Sequence, residues 1–345
     1  MQDPQLILIG SAPSSGSTML ADLLDSTPVS ACGPELEFFC NRSLFEFQRF
    51  KQNPHRKSDL FSMHSTSMFP RYGRLNHFGL DQGTLLSQLQ SSQDMPDFAK
   101  RFAGGFLAHR QKSADGIVFE KTPQNVNSID LWTEQMDRPF IFLVRDPLYV
   151  FNSLLNRGWG AHSAFATWLL YVAKAWKYLD HPNVTVVKLE EVVKDPFGLA
   201  VRLIQSYGPS GTITPAELQV NFERNAYRQK ASKKLSTWEV KEGRSEIRDP
   251  NLKEVSTERR RLFESMMGVN ISEAYAERFQ LSPIPMTQAM ERFGYAYRGV
   301  SDGSIPALNA QEWLRIVRKT ARGVVEGHGG IRDFAIYANP LDINR

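Results

Sequence analysis

Residues 6–18 read LILIGSAPSSGST and set the fold of this chain. Apolar residues lead to Gly10, a loop of small residues follows, and an apolar pattern typical of a helix begins at Met19. A strand, a tight loop and a helix in this order aim several backbone N–H groups at one point, where a phosphate group binds. The segment therefore predicts a phosphorylated ligand. Taken alone, it also fits an ordinary Ser- and Gly-rich turn between a strand and a helix.

The loop differs from the loop that binds nucleoside triphosphates. That loop has four residues between its glycines, followed by a lysine that reaches the β- and γ-phosphates. Here five residues separate Gly10 from Gly16, and Ser17 stands at the lysine position. ATP or GTP chemistry is therefore disfavoured, and the loop predicts a phosphate site that needs no metal. Its donors are backbone N–H and hydroxyl groups of Ser14, Ser15, Gly16, Ser17 and Thr18.

A second segment predicts another anion site. Residues 140–144, FIFLV, are typical of a buried parallel strand, and Arg145 follows directly. Apolar residues then recur at helical spacing, with Ser153 and Arg157 four residues apart on the polar side. We expect Arg145, Ser153 and Arg157 to converge on a second anionic group, for which the planar guanidinium offers suitable donors. A local pair of Arg145 with Asp146 and a solvated helix face are the alternative.

The two segments together resemble the signature of sulfotransferases that use 3'-phosphoadenosine 5'-phosphosulfate (PAPS). In that family, a P-R-S-G-T-T-L loop after the first strand holds the 5'-phosphosulfate. A later R-D-P sequence, with a serine eight residues after its arginine, holds the 3'-phosphate. The chain has Pro13-Ser14-Ser15-Gly16-Ser17-Thr18-Met19-Leu20 and then Arg145-Asp146-Pro147 with Ser153. The resemblance implies that this loop, Arg145 and Ser153, with Arg157 beside them, bind PAPS and its product 3'-phosphoadenosine 5'-phosphate (PAP).

Two segments between these motifs resemble the family's catalytic segments. Residues 119–123, FEKTP, resemble a K-T-P sequence with a basic residue near the transferred sulfuryl group, which implies this role for Lys121. Residues 32–37, CGPELE, resemble the Cys-Gly-x-Glu sequence of protein-tyrosine and carbohydrate-type sulfotransferases, which implies that Glu35 is the base. Glu37 is the alternative base, because an extended stretch would place both carboxylates on one face.

The chain departs from the family at the loop cation. Ser14 stands where the family usually has an arginine or lysine that neutralises the 5'-phosphosulfate. Lys121 or a basic run before Leu235 is expected to compensate, and a solvated charged face is the alternative for that run. The run contains Arg228, Lys230, Lys233 and Lys234. Residues 235–238 resemble the family's L-S-x-W stretch, so Lys234 and Trp238 are expected at the nucleotide.

These residues predict transfer of a sulfuryl group from PAPS to a hydroxyl or amine of a small-molecule or carbohydrate acceptor. Sulfuryl transfer is similar to phosphoryl transfer, in which the protein mainly positions the partners and stabilises developing charge. Two other functions stay open. One is a nucleotide kinase or NTP-binding protein on a degenerate phosphate loop. The other is a non-catalytic homologue that keeps the nucleotide site.

The composition fits an anionic donor. The chain has 41 Lys and Arg against 37 Asp and Glu, a net charge of +4, which is too small to predict nucleic-acid binding. No apolar run approaches the roughly 18 residues that span a bilayer, and residues 1–10 do not fit a signal peptide. A soluble cytoplasmic protein without membrane contact is therefore expected. Cys32 and Cys40 are then expected to be reduced, and no Cys and His spacing predicts a metal site.

The order of the helix and strand patterns predicts an α/β fold with a P-loop-like, mainly parallel sheet and helices on both faces. Helix patterns at 98–107 and 165–176 precede strand patterns at 116–119 and 184–187. In such sheets, ligands bind beyond the carboxyl ends of the strands.

The chain of 345 residues is expected to form one domain, 1–345, with two additions. Residues 41–94 predict a helical insertion that serves as an acceptor lid, because long insertions in compact domains are often functional. Residues 281–345 are expected to form a C-terminal extension that either completes the acceptor pocket or mediates self-association.

Overall fold

The apolar run at residues 6–9 lies in the middle strand of a five-stranded parallel sheet, as the sequence predicts. This computed structural model describes residues 3–54, 75–208, 213–224, 247, 254–297, 306–325, 336 and 338–343. The strands of the sheet are β1 (Gln5–Ser11), β2 (Ser30–Cys32), β3 (Ile117–Lys121), β4 (Phe140–Val144) and β5 (Val184–Lys188). Their order across the sheet is β2-β3-β1-β4-β5.

Parallel pairing brings the carboxyl ends of the strands to one edge of the sheet. In the register, Lys121 at the end of β3 lies beside Ile9 of β1, and Leu143 of β4 lies beside Ser11. Val144 in turn lies beside Lys188 of β5. The loop that follows β1 is therefore flanked by the ends of β3 and β4.

Helices cover both faces of the sheet, which confirms the predicted fold class. Alternate side chains of β1 enter two separate cores: Leu6 and Leu8 pack on one face, and Ile7 and Ile9 on the other. This is the period of two that a strand buried on both faces requires. The first core includes α4 (Met95–His109), α5 (Pro147–Leu155) and α6 (Ala161–Ala175). The second includes α1 (Ser17–Asp25), α7 (Leu189–Lys194), α8 (Pro196–Tyr207) and α9 (Pro215–Arg224).

The described part of the insertion packs on the first core. It contains α2 (Phe47–Gln52) and α3 (Gln82–Ser91), and residues 55–74 lie outside the described residues. The ring of Phe50 lies 6.1 Å from that of Phe38, which in turn lies 5.9 Å from the ring of Phe98 in α4. Buried aromatic pairs of this kind add to the stability of the fold beyond their buried area.

The C-terminal extension also contributes to the first core. Its described elements, and those just before it, are α10 (Thr257–Ser265), β6 (Val269–Ile271), α11 (Glu273–Phe279), α12 (Met286–Arg292), α13 (Ala310–Val325) and β7 (Leu341–Ile343). Strands β6 and β7 form a small antiparallel pair. Phe293 and Tyr295, which follow α12, are buried in the same core as β4 and α6.

Candidate functional site

The loop between β1 and α1 has the shape of an oxyanion cradle. The Ser15 N–H donates to the Ala12 carbonyl at 3.3 Å, which closes a four-residue turn. Pro13 takes the second position of this turn, and Ser14 follows with a φ of 73°, the pattern of a type II turn. Gly16 then has a φ of 83° directly before α1. The loop therefore turns sharply enough to bring its backbone N–H groups together at the start of the helix.

Several polar groups of this loop have no partner in the part of the chain that the structure describes. The hydroxyl groups of Ser11, Ser14 and Ser15 are buried and accept or donate no hydrogen bond there. In the same described region, no side chain caps α1, and its first turn has no acidic residue. Buried hydroxyls are normally hydrogen-bonded, and an uncapped helix N-terminus favours an anion. The residues present therefore fit a bound phosphate-type oxyanion.

Glu35 and Lys121 form a buried ion pair at the next strand ends. Glu35 lies in the segment after β2, and the Lys121 ammonium donates to its Oε1 at 3.0 Å. The Lys121 side chain is only 2% exposed and that of Glu35 12%. At Glu37 the φ is 58°, so the stretch is not extended and the expected alternation with Glu35 does not hold. Of the two carboxylates, Glu35 has the described contact with Lys121.

Arg157 lies within electrostatic reach of this pair. It follows the end of α5, and its N–H donates to the Leu154 carbonyl at 3.0 Å. Although the side chain is exposed, partial desolvation lowers the pKa of the guanidinium, and the charge of Glu35 opposes that shift. The sequence predicts Ser153 and Arg157 on the same face of one helix. In the structure α5 ends at Leu155, so Arg157 lies beyond the helix. The guanidinium stays charged and adds to the positive potential around Glu35.

Glu120 fastens the Glu35 segment to the end of β3. Its Oε1 accepts from the Leu36 N–H at 3.1 Å and the Thr122 hydroxyl at 2.6 Å, and its Oε2 accepts from Asn125 Nδ2 at 2.6 Å. The Thr122 hydroxyl oxygen also accepts from the Glu37 N–H at 3.0 Å. Burial raises the pKa of Glu120, which these hydrogen bonds oppose. Glu120 is not among the predicted site residues, although a carboxylate in a largely apolar strand is a recognisable signal.

Arg145 contacts the loop from the other side. It directly follows β4, is 5% exposed, and its Nη1 donates to the Ser14 carbonyl at 2.9 Å. Its guanidinium also lies 5.7 Å from the centre of the Tyr149 ring, a cation–π contact. The Trp168 indole N–H donates to the Arg145 carbonyl at 2.8 Å. A fixed, buried arginine therefore touches the backbone of the predicted phosphate loop.

The polar side of α5 is partly covered by the chain after α9. Arg259 Nη1 donates to the side-chain oxygens of Asn152 and Asn156, each at 2.6 Å. Ser153 lies between them in sequence and is half-buried. Sequence reasoning missed Arg259, because nothing local links it to α5.

The predicted convergence of Arg145, Ser153 and Arg157 on one anion stays a prediction. Lys234 and Trp238, with the rest of the basic run, lie outside the described residues.

The predicted site residues lie at the carboxyl ends of four strands that are neighbours in the sheet. Glu35 comes after β2, Lys121 ends β3, the loop follows β1, and Arg145 follows β4. Neighbouring strands lie about 5 Å apart, so the ends of β3 and β4 are about 10 Å apart with the loop between them. The arrangement offers one cationic side chain on each side of an oxyanion cradle.

A surface cavity of about 630 Å³ lies at the opposite edge of the sheet, near the amino ends of β1 and β4. Its Lys100 and Arg101 are already paired with Asp3 and Asp97. Ligands of parallel sheets bind at the carboxyl ends of the strands, so the loop edge is the better candidate site.

Within the described ranges, no group of three or more His, Cys, Asp or Glu side chains is arranged to hold a metal ion. None of the described helices has both the length and the apolar character that a membrane span needs. Cys32 and Cys40 are buried and carry free thiols.

A family model matches the chain, in agreement with the resemblance of its motifs. Residues 4–210, more than half of the chain, match the family model described as "Sulfotransferase family". Among solved structures, the sulfotransferase domain of the Synechococcus PCC 7002 olefin synthase is 16% identical, with a TM-score of 0.41, over 86% of this chain and 96% of that chain. The sulfotransferase domain from the curacin biosynthetic pathway is 17% identical, with a TM-score of 0.43, over 86% and 100%. Sulfotransferase STF9 from Mycobacterium avium is 16% identical, with a TM-score of 0.35, over 65% and 69%. No curated protein matches the chain.

Proposed function

Since this chain belongs to the sulfotransferase family, we propose that it moves the sulfuryl group of PAPS to a hydroxyl or amine group of a small-molecule or carbohydrate acceptor. The observation that carries this proposal is the buried pair of Glu35 and Lys121 beside an oxyanion cradle. The cradle supports the donor, and the carboxylate supports activation of an acceptor. Neither part depends on a metal ion.

The loop and the two flanking cations would hold the nucleotide. The unpartnered hydroxyls of Ser14 and Ser15, with the N–H groups at the start of α1, suit the 5'-phosphosulfate. Arg145, together with Ser153, suits the 3'-phosphate, because a guanidinium donates to two oxygens of one phosphate. Lys121 is also well placed to supply the charge that Ser14 lacks, since it lies beside β1 at the level of Ile9.

Glu35 would act as the base in the transfer step. It takes the proton of the acceptor hydroxyl while that oxygen forms a bond to sulfur and the bond from sulfur to the 5'-phosphate oxygen breaks. The electron pair of the broken bond stays on the phosphate of PAP. Lys121 stabilises this developing charge, and Arg157 offsets the charge of the carboxylate.

The proposal is tested by comparing Glu35→Gln with the matched variant Glu37→Gln. Calorimetry with PAP in EDTA measures nucleotide binding, and labelled PAPS with fractionated metabolites measures transfer. We expect both variants to bind PAP like the unsubstituted protein. We expect Glu35→Gln to transfer roughly 100-fold more slowly or worse, which is typical for the loss of a positioned base.

Other results of these measurements would indicate a different base or a different function. Loss of transfer in Glu37→Gln alone would move the base to Glu37. PAP binding without transfer to any fraction would indicate a non-catalytic homologue. No PAP binding by the unsubstituted protein, or ATP binding only with magnesium, would overturn the proposal.

A further inference from the structure

The chain segment after α12 lies against the ends of β4 and β5. The ring of Phe293 lies 6.4 Å from that of Phe142 in β4 and 6.2 Å from that of Trp168 in α6. The ammonium of Lys188, at the end of β5, donates to the Phe293 carbonyl at 2.6 Å. Gly294 then turns the chain with a φ of 71°. The segment is therefore fixed before it reaches its two tyrosines at residues 295 and 297.

Tyr295 is linked through Glu190 to the peptide bond that follows Arg145. Its hydroxyl donates to Glu190 Oε2 at 2.9 Å, and Glu190 Oε1 accepts from the Asp146 N–H at 3.1 Å. The carbonyl of the same peptide bond accepts from Trp168. Both polar groups of this peptide unit are thus held, one of them through a carboxylate that Tyr295 orients.

Tyr297 holds the side chain of Asp146. Its hydroxyl donates to Asp146 Oδ2 at 2.5 Å, while Asp146 Oδ1 accepts from the Leu148 N–H at 2.9 Å and caps α5. Burial raises the pKa of both phenols, and also that of Asp146. The tyrosines therefore remain hydroxyl donors at neutral pH.

We propose that Tyr295 and Tyr297 are positioning residues, which hold the turn at Arg145 and Asp146 so that Arg145 binds the 3'-phosphate of the nucleotide. This inference rests on the proposed function. It assigns part of the C-terminal extension to the donor site, on the side away from Glu35. Replacing either phenol with phenylalanine keeps the ring and its packing but removes the donor, so a partly buried carboxylate loses a hydrogen bond.

The test separates positioning from a general role in folding. The double variant Tyr295→Phe with Tyr297→Phe is titrated with PAP and with adenosine 5'-phosphate, which lacks only the 3'-phosphate. We expect the Kd for PAP to rise about tenfold, as for the loss of charge-assisted hydrogen bonds. We expect the Kd for adenosine 5'-phosphate to stay unchanged. Tyr207→Phe, which removes a phenol bound to Thr185 instead, is the control and should leave both values unchanged.

Equal weakening of both nucleotides would show a merely structural role and overturn the inference. Unchanged binding of both would overturn it too, while the proposed function would stand. If the unsubstituted protein failed to bind PAP, the proposed function itself would fall. Should the double variant not fold, the two single variants are titrated in the same way and are judged by the same selective loss for PAP.

Discussion

Glu120 connects the segment of Glu35 to the strand that ends in Lys121. Both of its carboxylate oxygens take hydrogen bonds, from the Leu36 N–H, the Thr122 hydroxyl and the Asn125 amide. A buried carboxylate is costly unless its oxygens are satisfied, and here they are satisfied by groups from two segments. The separation of Glu35 and Lys121 therefore depends on a residue that is not expected to touch either substrate.

We expect Glu120→Gln to lower both stability and transfer. A glutamine has one acceptor oxygen, so its NH2 group would face either Asn125 Nδ2 or the donors from Leu36 and Thr122. The loss should be about 1–3 kcal/mol in the free energy of unfolding, measured in urea. Glu191→Gln, on the exposed surface of α7, is the control for removing one negative charge. Equal unfolding free energies for the Glu120 variant and the unsubstituted protein would contradict the assignment.

At this scale the sequence predicts the residues that match local motifs. The pairing of Glu35 with Lys121 is consistent with the roles that their two motifs imply. Arg259 and the tyrosines after α12 were missed, because their partners lie far away in sequence. No local pattern encodes a contact of this kind, which exists only once the sheet has formed.

At the scale of the elements, the turn into α1 depends on Gly16. Gly16 has a φ of 83°, and a Cβ placed there would lie 2.4 Å from the Leu189 side chain of α7. The loop can therefore approach α7 only without a side chain at this position. Both constraints act together, since a left-handed backbone and a close contact each favour glycine.

We expect Gly16→Ala to be more destabilising than Gly158→Ala. Gly158 also has a positive φ, of 77°, but a Cβ there meets nothing within 4 Å. The control thus measures the backbone cost alone, about 1 kcal/mol. Overpacking against Leu189 should add about 1–3 kcal/mol for Gly16→Ala, measured as the free energy of unfolding. Similar losses in the two variants would show that the contact with Leu189 relaxes without cost.

The regular elements are largely predictable from the sequence. Strand β4 has the predicted bounds, and β5 is one residue longer than predicted. Strand β2 was missed, because its three residues are too few to show a period. Helix α5 ends before Arg157 because the chain turns there, with the Gly158 N–H donating to the Leu155 carbonyl at 2.9 Å. Strands with a largely apolar run are thus predicted closely, at the centre or at the edge of the sheet, whereas a three-residue strand and the end of a helix are not.

On the scale of the whole molecule, Lys174 links the sheet layer to the C-terminal part of the chain. It is buried in α6, and its ammonium donates to the Phe279 carbonyl at the end of α11, at 3.2 Å. Burial and the charge of Arg42 lower the pKa of Lys174 to about 8, which Asp130 partly opposes. The charged form of the Lys174 side chain is therefore less stable in the folded protein than in the unfolded chain.

This cost makes stability depend on pH. Between pH 8 and the ordinary lysine value of 10.5, the unfolded chain binds more protons than the folded one, so the free energy of unfolding rises with pH. The difference amounts to about 3 kcal/mol across the window. We expect unsubstituted protein to gain this stability relative to Lys174→Met as pH rises, in urea titrations at each pH. Lys177→Met is the control for the loss of one positive charge, because Lys177 lies nearby and is exposed. If the free energy of unfolding changed with pH in the same way for the unsubstituted protein and Lys174→Met, the prediction would be refuted.

The position of β2 at the margin of the sheet has a consequence for how such proteins diversify. The carboxylate proposed to meet the acceptor lies in the segment that follows this outer strand, and a long insertion comes after it. The groups proposed to grip the nucleotide come from interior strands instead. Under the proposed roles, exchange of the chain after β2 would change the acceptor and leave donor binding unaltered.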